Sequence, residues 1–178
     1  MRIISGIRRG HKLFEFVGDD IRPTTDRVKE SIFNIIQYYV PGASVLDMFC
    51  GSGALSFEAV SRGARKAVCI DSDPASVDII RKNAKALRFE EFCEILTMSC
   101  LNYKPTGESF DIIFLDPPYN KGLIEPVLEH IVKQKLLSND GIIVLESDDT
   151  DFCGEIPGLC IDRQKKYGRT YITVYKKG

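Results

Sequence analysis

Two short stretches of the sequence bring carboxylates together with residues that leave the backbone accessible. The first reads Asp-Met-Phe-Cys-Gly-Ser-Gly-Ala-Leu over residues 47–55. Gly51 and Gly53 lack a Cβ where a ligand must approach the backbone, and the first amides of a following helix can meet a polar or anionic group. Because Gly-x-Gly also occurs in plain tight turns, the carboxylates around it decide what this turn binds.

Two aspartates near this turn favour S-adenosylmethionine as its ligand. Asp47 ends the preceding apolar run, where a carboxylate suits a cationic aminoacyl group better than a pyrophosphate. Asp71 ends the next strand-like run about 20 residues on, where an acid can accept hydrogen bonds from both ribose hydroxyls. Ser56 stands where the dinucleotide fingerprint has Gly or Ala, which disfavours a nicotinamide cofactor. The other interpretation is that both aspartates only cap turns.

The second stretch is Asp116-Pro117-Pro118-Tyr119, which directly follows an apolar run at residues 110–115. Prolines fix φ and have no N–H, so nearby carbonyl groups are left as outward-facing acceptors. Such acceptors suit the transfer of a methyl group to an aromatic amine. This amine is a poor nucleophile because its lone pair is delocalised into the ring. Hydrogen-bond acceptors on both of its N–H groups favour a pyramidal nitrogen, whose lone pair can react. Asp116 and the Pro117 carbonyl are the candidate acceptors, and Tyr119 is the candidate stacking partner for the base. The alternative is a proline-rich loop with a core tyrosine.

Strand and helix patterns alternate along the chain, which predicts a parallel sheet with crossover helices. The predicted strands are residues 44–48, 66–71, 94–98, 110–115 and 141–146, with an antiparallel pair at 159–164 and 170–175. The predicted helices start at Thr25 or Asp26 and run to about residue 39, then cover 55–62, 74–87 and 124–134; Asp73 is the expected N-cap of the third. Residues 2–5 and 12–17 are expected to form a β-hairpin with a basic turn at 6–10.

The predicted fold class is therefore α/β: a Rossmann-like S-adenosylmethionine methyltransferase fold with a doubly wound, mostly parallel sheet. A C-terminal antiparallel strand pair and a small N-terminal hairpin and helix extension complete it. The 178 residues, 44% of them hydrophobic, fit one methyltransferase domain, with the extension at 1–40 and the catalytic core at 41–178. Both chemical stretches should meet at the carboxyl ends of the strands, where such sheets bind ligands.

Cysteine and histidine placement argues against a metal centre. The six cysteines are scattered without a Cys-x-x-Cys pair, and neither of the two histidines stands near a cysteine at ligand spacing. We therefore expect reduced thiols, no metal and a cytoplasmic protein. No apolar run approaches the roughly 20 residues that span a bilayer, so no membrane partner is expected. The chain is expected to act as a monomer.

The formal net charge of −1 conceals two basic ends. The first segment holds Arg2, Arg8, Arg9, Lys12, Arg22, Arg27 and Lys29, and the last holds Arg163, Lys165, Lys166, Arg169, Lys176 and Lys177. If the two ends lie side by side, they form a basic face for nucleic acid. The candidate contacts to substrate RNA are Arg8, Arg9, Arg22, Arg27, Lys165, Lys166 and Arg169. Ordinary solvated charge is the alternative interpretation.

The sequence resembles the RsmD-type bacterial 16S rRNA guanine-N2 methyltransferases over essentially its whole length. The resemblance lies in residues 2–6, 22–34, 47–63 and 167–170, besides Asp116 to Tyr119. It implies that the substrate is a guanine 2-amino group in 16S rRNA, within an assembling 30S subunit, and that the base leaves its stack to react. It also implies that the loop at 22–27 covers the site. Relatives place an acid after the third strand to meet the adenine; here Ser99, Cys100 or a backbone group takes that place.

Three other functions are compatible with parts of these patterns. A DNA adenine-N6 methyltransferase would use the same acceptors, but the chain has no sizeable insert for target recognition. A non-catalytic RNA-binding module would not need Asp116 and Tyr119. A nicotinamide-dependent reductase is disfavoured by Ser56 and by the lack of an evident proton donor near Asp116.

Overall fold

A seven-stranded sheet runs through the part of the molecule that the structure describes. The computed structural model describes residues 1–15, 26–105, 107–118, 121–148 and 155–178. The strands are β1 (Ser44–Asp47), β2 (Lys66–Asp71), β3 (Cys93–Thr97), β4 (Phe110–Leu115), β5 (Leu137–Asp148), β6 (Leu159–Tyr167) and β7 (Thr170–Lys177). Their order is β3-β2-β1-β4-β5-β7-β6, with β1 to β5 parallel and β7 antiparallel to β5 and β6. The predicted α/β fold with its antiparallel C-terminal pair is confirmed.

Helices cover both faces of this sheet. Within the described residues they are α1 (Asp26–Ile35), α2 (Ala54–Ser61), α3 (Pro74–Leu87) and α4 (Ile124–Lys133). The first three pack with the N-terminal segment into one apolar core, and α4 packs into a second core on the opposite face. Short 3-10 turns at Glu90–Phe92 and Cys100–Asn102 precede and follow β3. The N-terminal extension thus shares its core with the sheet.

Local sequence explains the bounds of α3, which were predicted correctly. Helix α3 covers residues 74–87 as expected, and Asp73 is its N-cap, accepting hydrogen bonds from the amides of Ala75 and Ser76. Pro74 fills the first turn, where a missing N–H costs nothing, and Arg88 ends the helix in the left-handed conformation. The residues that start and end α3 are adjacent to it in the sequence, so its bounds can be predicted from the sequence.

Several predicted bounds differ from the structure by one to three residues, and two differ by four. Helix α1 ends at Ile35 instead of residue 39, since the Tyr39 amide donates to the Ile36 carbonyl in a tighter turn. Strand β5 begins at Leu137, four residues before the predicted start, and its first residue pairs with Phe110 of β4. Residues 138–140 are polar and more exposed, which is why they resembled a turn.

The N-terminal hairpin is present only as an isolated antiparallel bridge between Arg2 and Lys12. The predicted strand pairs do not extend further because the backbone between them bonds to α2 instead. The amides of Ile4 and Ser5 donate to the Glu58 carboxylate at 2.7 and 3.0 Å, and the Ile7 amide donates to the Ser61 carbonyl at 2.8 Å. Residues 16 and 17 of the predicted hairpin lie outside the described residues.

A buried ion pair anchors this N-terminal segment to α1 and α2. Lys29 and Glu58 are both fully buried, and Lys29 Nζ lies 3.5 Å from Glu58 Oε2. Lys29 also donates to the Arg2 carbonyl at 2.5 Å, and Arg62 Nε donates to Glu58 at 2.7 Å. Burial lowers the pKa of Lys29, while the Glu58 charge opposes that shift. Lys29 therefore does not belong to an exposed basic face.

Candidate active site

The glycine turn between β1 and α2 lies where the strand order of the sheet reverses. Strands β2 and β3 lie on one side of β1, and β4 and β5 lie on the other. Open α/β sheets bind ligands in the crevice beside such a reversal. The Cys50 amide donates to the Ile70 carbonyl at 2.9 Å, and the Gly53 amide donates to the Cys50 carbonyl at 2.8 Å. The turn is thereby held in one conformation.

The two glycines of the turn are required for different reasons. Both have positive φ, 57° at Gly51 and 84° at Gly53, which favours glycine. A Cβ on Gly51 would meet nothing within 4 Å, so this position opens onto free space. A Cβ on Gly53 would lie 2.1 Å from the ring of Phe57. Gly53 is therefore needed so that Phe57 of α2 can pack against the turn, whereas the sequence suggested only that a ligand approaches the backbone here. The contact of Gly53 with a cofactor stays a prediction.

Asp47 is a buried carboxylate with one uncommitted oxygen. It ends β1 with 1% of its surface exposed, and its Oδ2 accepts a hydrogen bond from Ser56 Oγ at 2.8 Å. Among the described residues, its Oδ1 has no hydrogen-bond partner. Burial raises the pKa of Asp47 to about 8, with further contributions from the nearby Cys69 and Asp116 side chains and an opposing one from Ser56. A buried acceptor of this kind is costly unless a donor or cation meets it.

Asp71 ends β2 on the neighbouring strand, and both of its oxygens bind backbone amides. The Gly51 amide donates to Oδ2 at 2.8 Å, and the Asp73 amide donates to Oδ1 at 2.9 Å. Asp71 therefore links the glycine turn to the start of α3. Each carboxylate oxygen has a second acceptor site, so the half-buried side chain can still accept from a pair of hydroxyl groups.

Ser99 and Cys100 follow β3 and lie beside Asp71. Asp71 pairs with Thr97, and the Met98 amide donates to the Asp71 carbonyl at 3.0 Å. Ser99 is exposed and precedes the 3-10 turn, whereas Cys100 is buried. Burial raises the pKa of the Cys100 thiol, and Asp71 adds a smaller push in the same direction. The structure thus brings both residues to the edge occupied by the glycine turn.

Asp116 and Pro117 follow β4 on the other side of β1. Strand register pairs Asp47 with Phe114, and the Met48 amide donates to the Phe114 carbonyl at 3.2 Å. Asp116 is half-buried and Pro117 is buried at this edge. Tyr119 lies outside the described residues, so its predicted role is untested.

These groups stand in spatial order along one edge of the sheet. Ser99 follows β3, Asp71 ends β2, Asp47 ends β1 and Asp116 follows β4, and these four strands are consecutive neighbours. Three strand spacings cover about 14 Å. An extended ligand lying along this edge could contact all four groups, with its cationic end over Asp47 and its reacting end towards Asp116.

Comparisons with known proteins identify the family of this chain. The family model described as "Conserved hypothetical protein 95" matches residues 1–176. "Putative rRNA methyltransferase YlbH" of Bacillus subtilis is 36% identical over 99% of both chains. "Ribosomal RNA small subunit methyltransferase D" of Escherichia coli is 32% identical over 99% of this chain and 90% of its own. The chain belongs to the RsmD-type rRNA methyltransferase family. It is thus related to enzymes, as the sequence predicted.

A solved structure from the same family supports the fold. "Putative methyltransferase yhhF" from Escherichia coli superimposes with a TM-score of 0.87 at 34% sequence identity, covering 99% of this chain and 97% of that one. The match includes the N-terminal segment as well as the sheet.

The candidate RNA contacts fall into two separate groups. Ser61 and Leu87 end α2 and α3 at the amino ends of the strands; the Arg8 amide donates to Ser61 Oγ, and Arg8 Nε donates to the Leu87 carbonyl at 2.6 Å. This places Arg8 and exposed Arg9 at the opposite edge from the glycine turn.

The second group lies at the carboxyl edge of the sheet. Exposed Arg27 is in the first turn of α1, and Lys165, Lys166 and Arg169 are exposed around the turn between β6 and β7. That turn is at the carboxyl edge because Thr170 pairs with Asp148, the last residue of β5. Arg8 and Arg9 therefore do not share a face with Lys165, Lys166 and Arg169, whereas Arg27 does, and Arg22 lies outside the described residues.

The cysteines of this RsmD-type chain are free thiols where the structure describes them. Cys50, Cys69, Cys93, Cys100 and Cys160 are all unpaired, and Cys153 lies outside the described residues. Over the same described ranges, no group of three or more His, Cys, Asp or Glu side chains is placed to hold a metal ion. No described helix has both the length and the apolar character to cross a membrane.

Two polar side chains at the site were missed by sequence reasoning. Ser56, weighed only against a dinucleotide fingerprint, is fully buried and donates to Asp47. Its position in the first turn of α2, next to the end of β1, could have indicated this contact. Asn83 is also fully buried and bonds to the Ser52 carbonyl within the glycine turn. Nothing in the local sequence around Asn83 predicts a partner 31 residues away.

Proposed function

We propose that this protein transfers a methyl group from S-adenosylmethionine to the exocyclic 2-amino group of a guanine in 16S rRNA. The observation that carries the proposal is the buried, uncommitted Oδ1 of Asp47 at the glycine turn, one strand away from the Asp116-Pro117 acceptors. Membership in the RsmD-type family supports the RNA substrate, since two relatives are named as rRNA methyltransferases. We place the reaction in the bacterial cytoplasm, on RNA within the assembling small subunit.

The residues present fit S-adenosylmethionine. Its ammonium group would supply the cation that the buried Asp47 Oδ1 lacks. Asp71 would accept from the two ribose hydroxyls, and Ser99 and Cys100 lie on the adenine side of Asp71 in this arrangement. The open space at Gly51 leaves room for the aminoacyl chain. When bound, the cofactor supplies a sulfonium methyl group that is already activated for transfer.

Asp116 and Pro117 would hold the amine that accepts this methyl group. The carboxylate of Asp116 and the carbonyl of Pro117 accept from the two N–H groups, which draws the nitrogen lone pair out of the ring and towards the donor. Alignment of this kind supplies about 7–11 kcal/mol in favourable cases. A strong general base is unnecessary because the methylated ammonium product loses its proton readily. Tyr119 is proposed to stack on the base and hold it in place.

The exposed cations at the carboxyl edge would bind the RNA backbone around the target base. Lys165, Lys166 and Arg169 lie at the β6–β7 end of this edge, away from the glycine turn, and Arg27 is exposed on α1, which suits contacts to phosphates and not to the base. Lys166 Nζ also donates to the Tyr171 hydroxyl at 2.9 Å. Arg22 is proposed to join them. Arg8 and Arg9 could contact only RNA that extends to the opposite edge, and Arg8 already binds Leu87 and stacks on Phe89.

Labelled S-adenosylmethionine with three matched acceptors tests the substrate. Purified protein is incubated with deproteinised 16S rRNA, with small ribosomal subunits or with duplex DNA, and label in each acceptor is counted. We expect label in the rRNA or the subunits and none above background in DNA. Label in DNA alone would favour an adenine-N6 methyltransferase, which could use the same acceptors at Asp116. Binding to rRNA without transfer would favour a non-catalytic RNA-binding module.

A further inference from the structure

The N-terminal segment and the glycine turn meet at a single buried side chain. Asn83 lies in the middle of α3 with no exposed surface. Its Oδ1 accepts from the Phe14 amide at 2.7 Å, and its Nδ2 donates to the Phe14 carbonyl at 3.0 Å and to the Ser52 carbonyl at 2.8 Å. One amide group therefore bonds both backbone groups of Phe14 and the backbone of the turn.

Hydrogen-bond chemistry fixes the orientation of this amide. The Phe14 N–H needs an acceptor, while the Phe14 and Ser52 carbonyls need donors, so Oδ1 and Nδ2 have only one satisfactory placement. Aspartate has no donor to offer the two carbonyls, and alanine has neither group. Asn83 thus bonds both the N–H and the C=O of Phe14, as the backbone of a neighbouring β-strand would. Phe14 itself is 56% exposed.

Asn83 also completes the set of bonds that defines the glycine turn. The amides of Cys50, Gly51 and Gly53 bond to the Ile70 carbonyl, Asp71 and the Cys50 carbonyl. The Ser52 carbonyl is held by Asn83, which fixes the peptide plane between Ser52 and Gly53. A shift of the Phe14 backbone would therefore move the glycine turn, because the Asn83 side chain bonds to both. In the same way, a ligand that orders the turn would restrict the motion of the Phe14 backbone.

We propose that Asn83 is a positioning residue that couples the N-terminal segment to cofactor binding. Neither Asn83 nor Phe14 is assigned any contact with the cofactor, yet ligand binding at the turn should stabilise the Phe14 backbone, and loss of that backbone contact should weaken ligand binding. Such coupling is reciprocal. The inference rests on the proposed binding of S-adenosylmethionine.

Ser61 provides a matched control on the same segment. Its Oγ donates to the Ser5 carbonyl at 2.6 Å and accepts from the Arg8 amide at 3.0 Å, and it is 1% exposed. Ser61 therefore also holds the N-terminal segment through buried hydrogen bonds, but at the end of α2 away from the glycine turn, about 12 Å along the helix. Ser61→Ala should loosen the segment without reaching the turn.

Hydrogen exchange of the full chain with and without S-adenosylhomocysteine tests the coupling in the unmodified protein. We expect ligand to slow exchange of the Phe14 amide, although it lies outside the ligand contacts. Unchanged exchange at Phe14 in ligand-saturated protein overturns the inference and leaves the proposed function standing. Failure of the wild-type protein to bind the ligand at all contradicts the proposed function itself, and with it this inference.

Calorimetry of variants with S-adenosylhomocysteine tests the assignment to Asn83. Asn83→Ala should raise Kd about five-fold or more, within the usual range of couplings between sites, while Ser61→Ala should stay within about two-fold. Asn83→Asp keeps the acceptor for Phe14 but loses the donor to Ser52, so it should weaken binding and abolish the ligand-dependent protection of Phe14. Equal Kd values for folded Asn83 and Ser61 variants would overturn the proposal.

Discussion

Protonation of Asp47 should make cofactor binding release a proton. The pKa of this carboxyl is about 8 in the protein without ligand, because burial disfavours its charged form. At pH 7 such a group is about nine-tenths protonated, and at pH 9 about one-tenth. An ammonium group placed against Oδ1 favours the carboxylate, so binding should release most of one proton at pH 7. This release should be lost at pH 9, because the carboxyl is already ionised there and the free ligand has itself lost its ammonium proton. Affinity should therefore rise with pH towards about 8 and fall above it, because the α-ammonium group of the free ligand has an ordinary pKa of about 7.7–8.0.

Calorimetry in buffers of different ionisation enthalpy measures this proton release. The observed binding enthalpy of S-adenosylmethionine is plotted against the buffer ionisation enthalpy, and the slope gives the protons released. Asp47→Asn should bind more weakly and show a slope near zero. Asp73→Asn keeps a good N-cap on α3 and should match the wild-type slope. A wild-type slope of zero at pH 7, or an equal slope in Asp47→Asn, would refute the role given to Asp47.

The same shift makes stability depend on pH in a definite direction. The folded pKa of about 8 lies above the unfolded value of about 3.9, so the folded protein binds more protons between these limits. The contribution of Asp47 is therefore fully present below about pH 4 and is lost as pH rises to about 8. Urea unfolding without ligand should show Asp47→Asn gaining stability relative to wild type between pH 5 and pH 8. A constant difference across that range would contradict the shifted pKa.

Other substitutions separate the roles along the sheet edge. Asp71→Ala should weaken S-adenosylmethionine binding by about 1.5–3 kcal/mol, and unchanged affinity in calorimetry would refute the ribose contact. Replacing Lys165 and Lys166 with Gln should lower the salt slope of RNA binding by about 1.4, while Arg9→Gln changes it less; an unchanged slope in the double variant would contradict the phosphate contacts. Asp116→Ala should lose about 100-fold or more in single-turnover transfer, whereas Asn, which keeps an acceptor oxygen, should retain measurable turnover at nearly constant cofactor affinity. Equal inactivity of folded, cofactor-bound Asn and Ala variants would mean that Asp116 acts through its charge.

Elements with local sequence signals have the bounds that the sequence predicts. The run at residues 110–115 is apolar throughout and forms β4 with the predicted bounds, which places Asp116 at its carboxyl end. The caps of α3 are adjacent in sequence, and its bounds were also correct. The chemical stretches at Asp47 and Asp116 were expected to meet because parallel strands bring their carboxyl ends to one edge, and β1 pairs with β4 directly.

Contacts between distant parts of the chain were beyond such reasoning. Glu58 reads as one acid in a short helix, yet it is fully buried because Ile4, Ser5 and Lys29 all donate to it or pair with it. That contact replaces the ladder of the predicted hairpin. The position of Arg8 and Arg9 has the same origin, since the docking of the N-terminal turn on Ser61 decides which edge of the sheet they occupy.

Identification of the methylated nucleoside tests the central claim most directly. After reaction with S-adenosylmethionine, 16S rRNA from a source lacking this modification is digested to nucleosides and analysed by mass spectrometry against standards. The geometry at Asp116 and Pro117, together with the family, predicts N2-methylguanosine in the wild-type reaction and its loss with Asp116→Ala. Methylation at a ring nitrogen, at a ribose hydroxyl or on adenine would contradict the account, as would an equal yield from the Asp116→Ala protein.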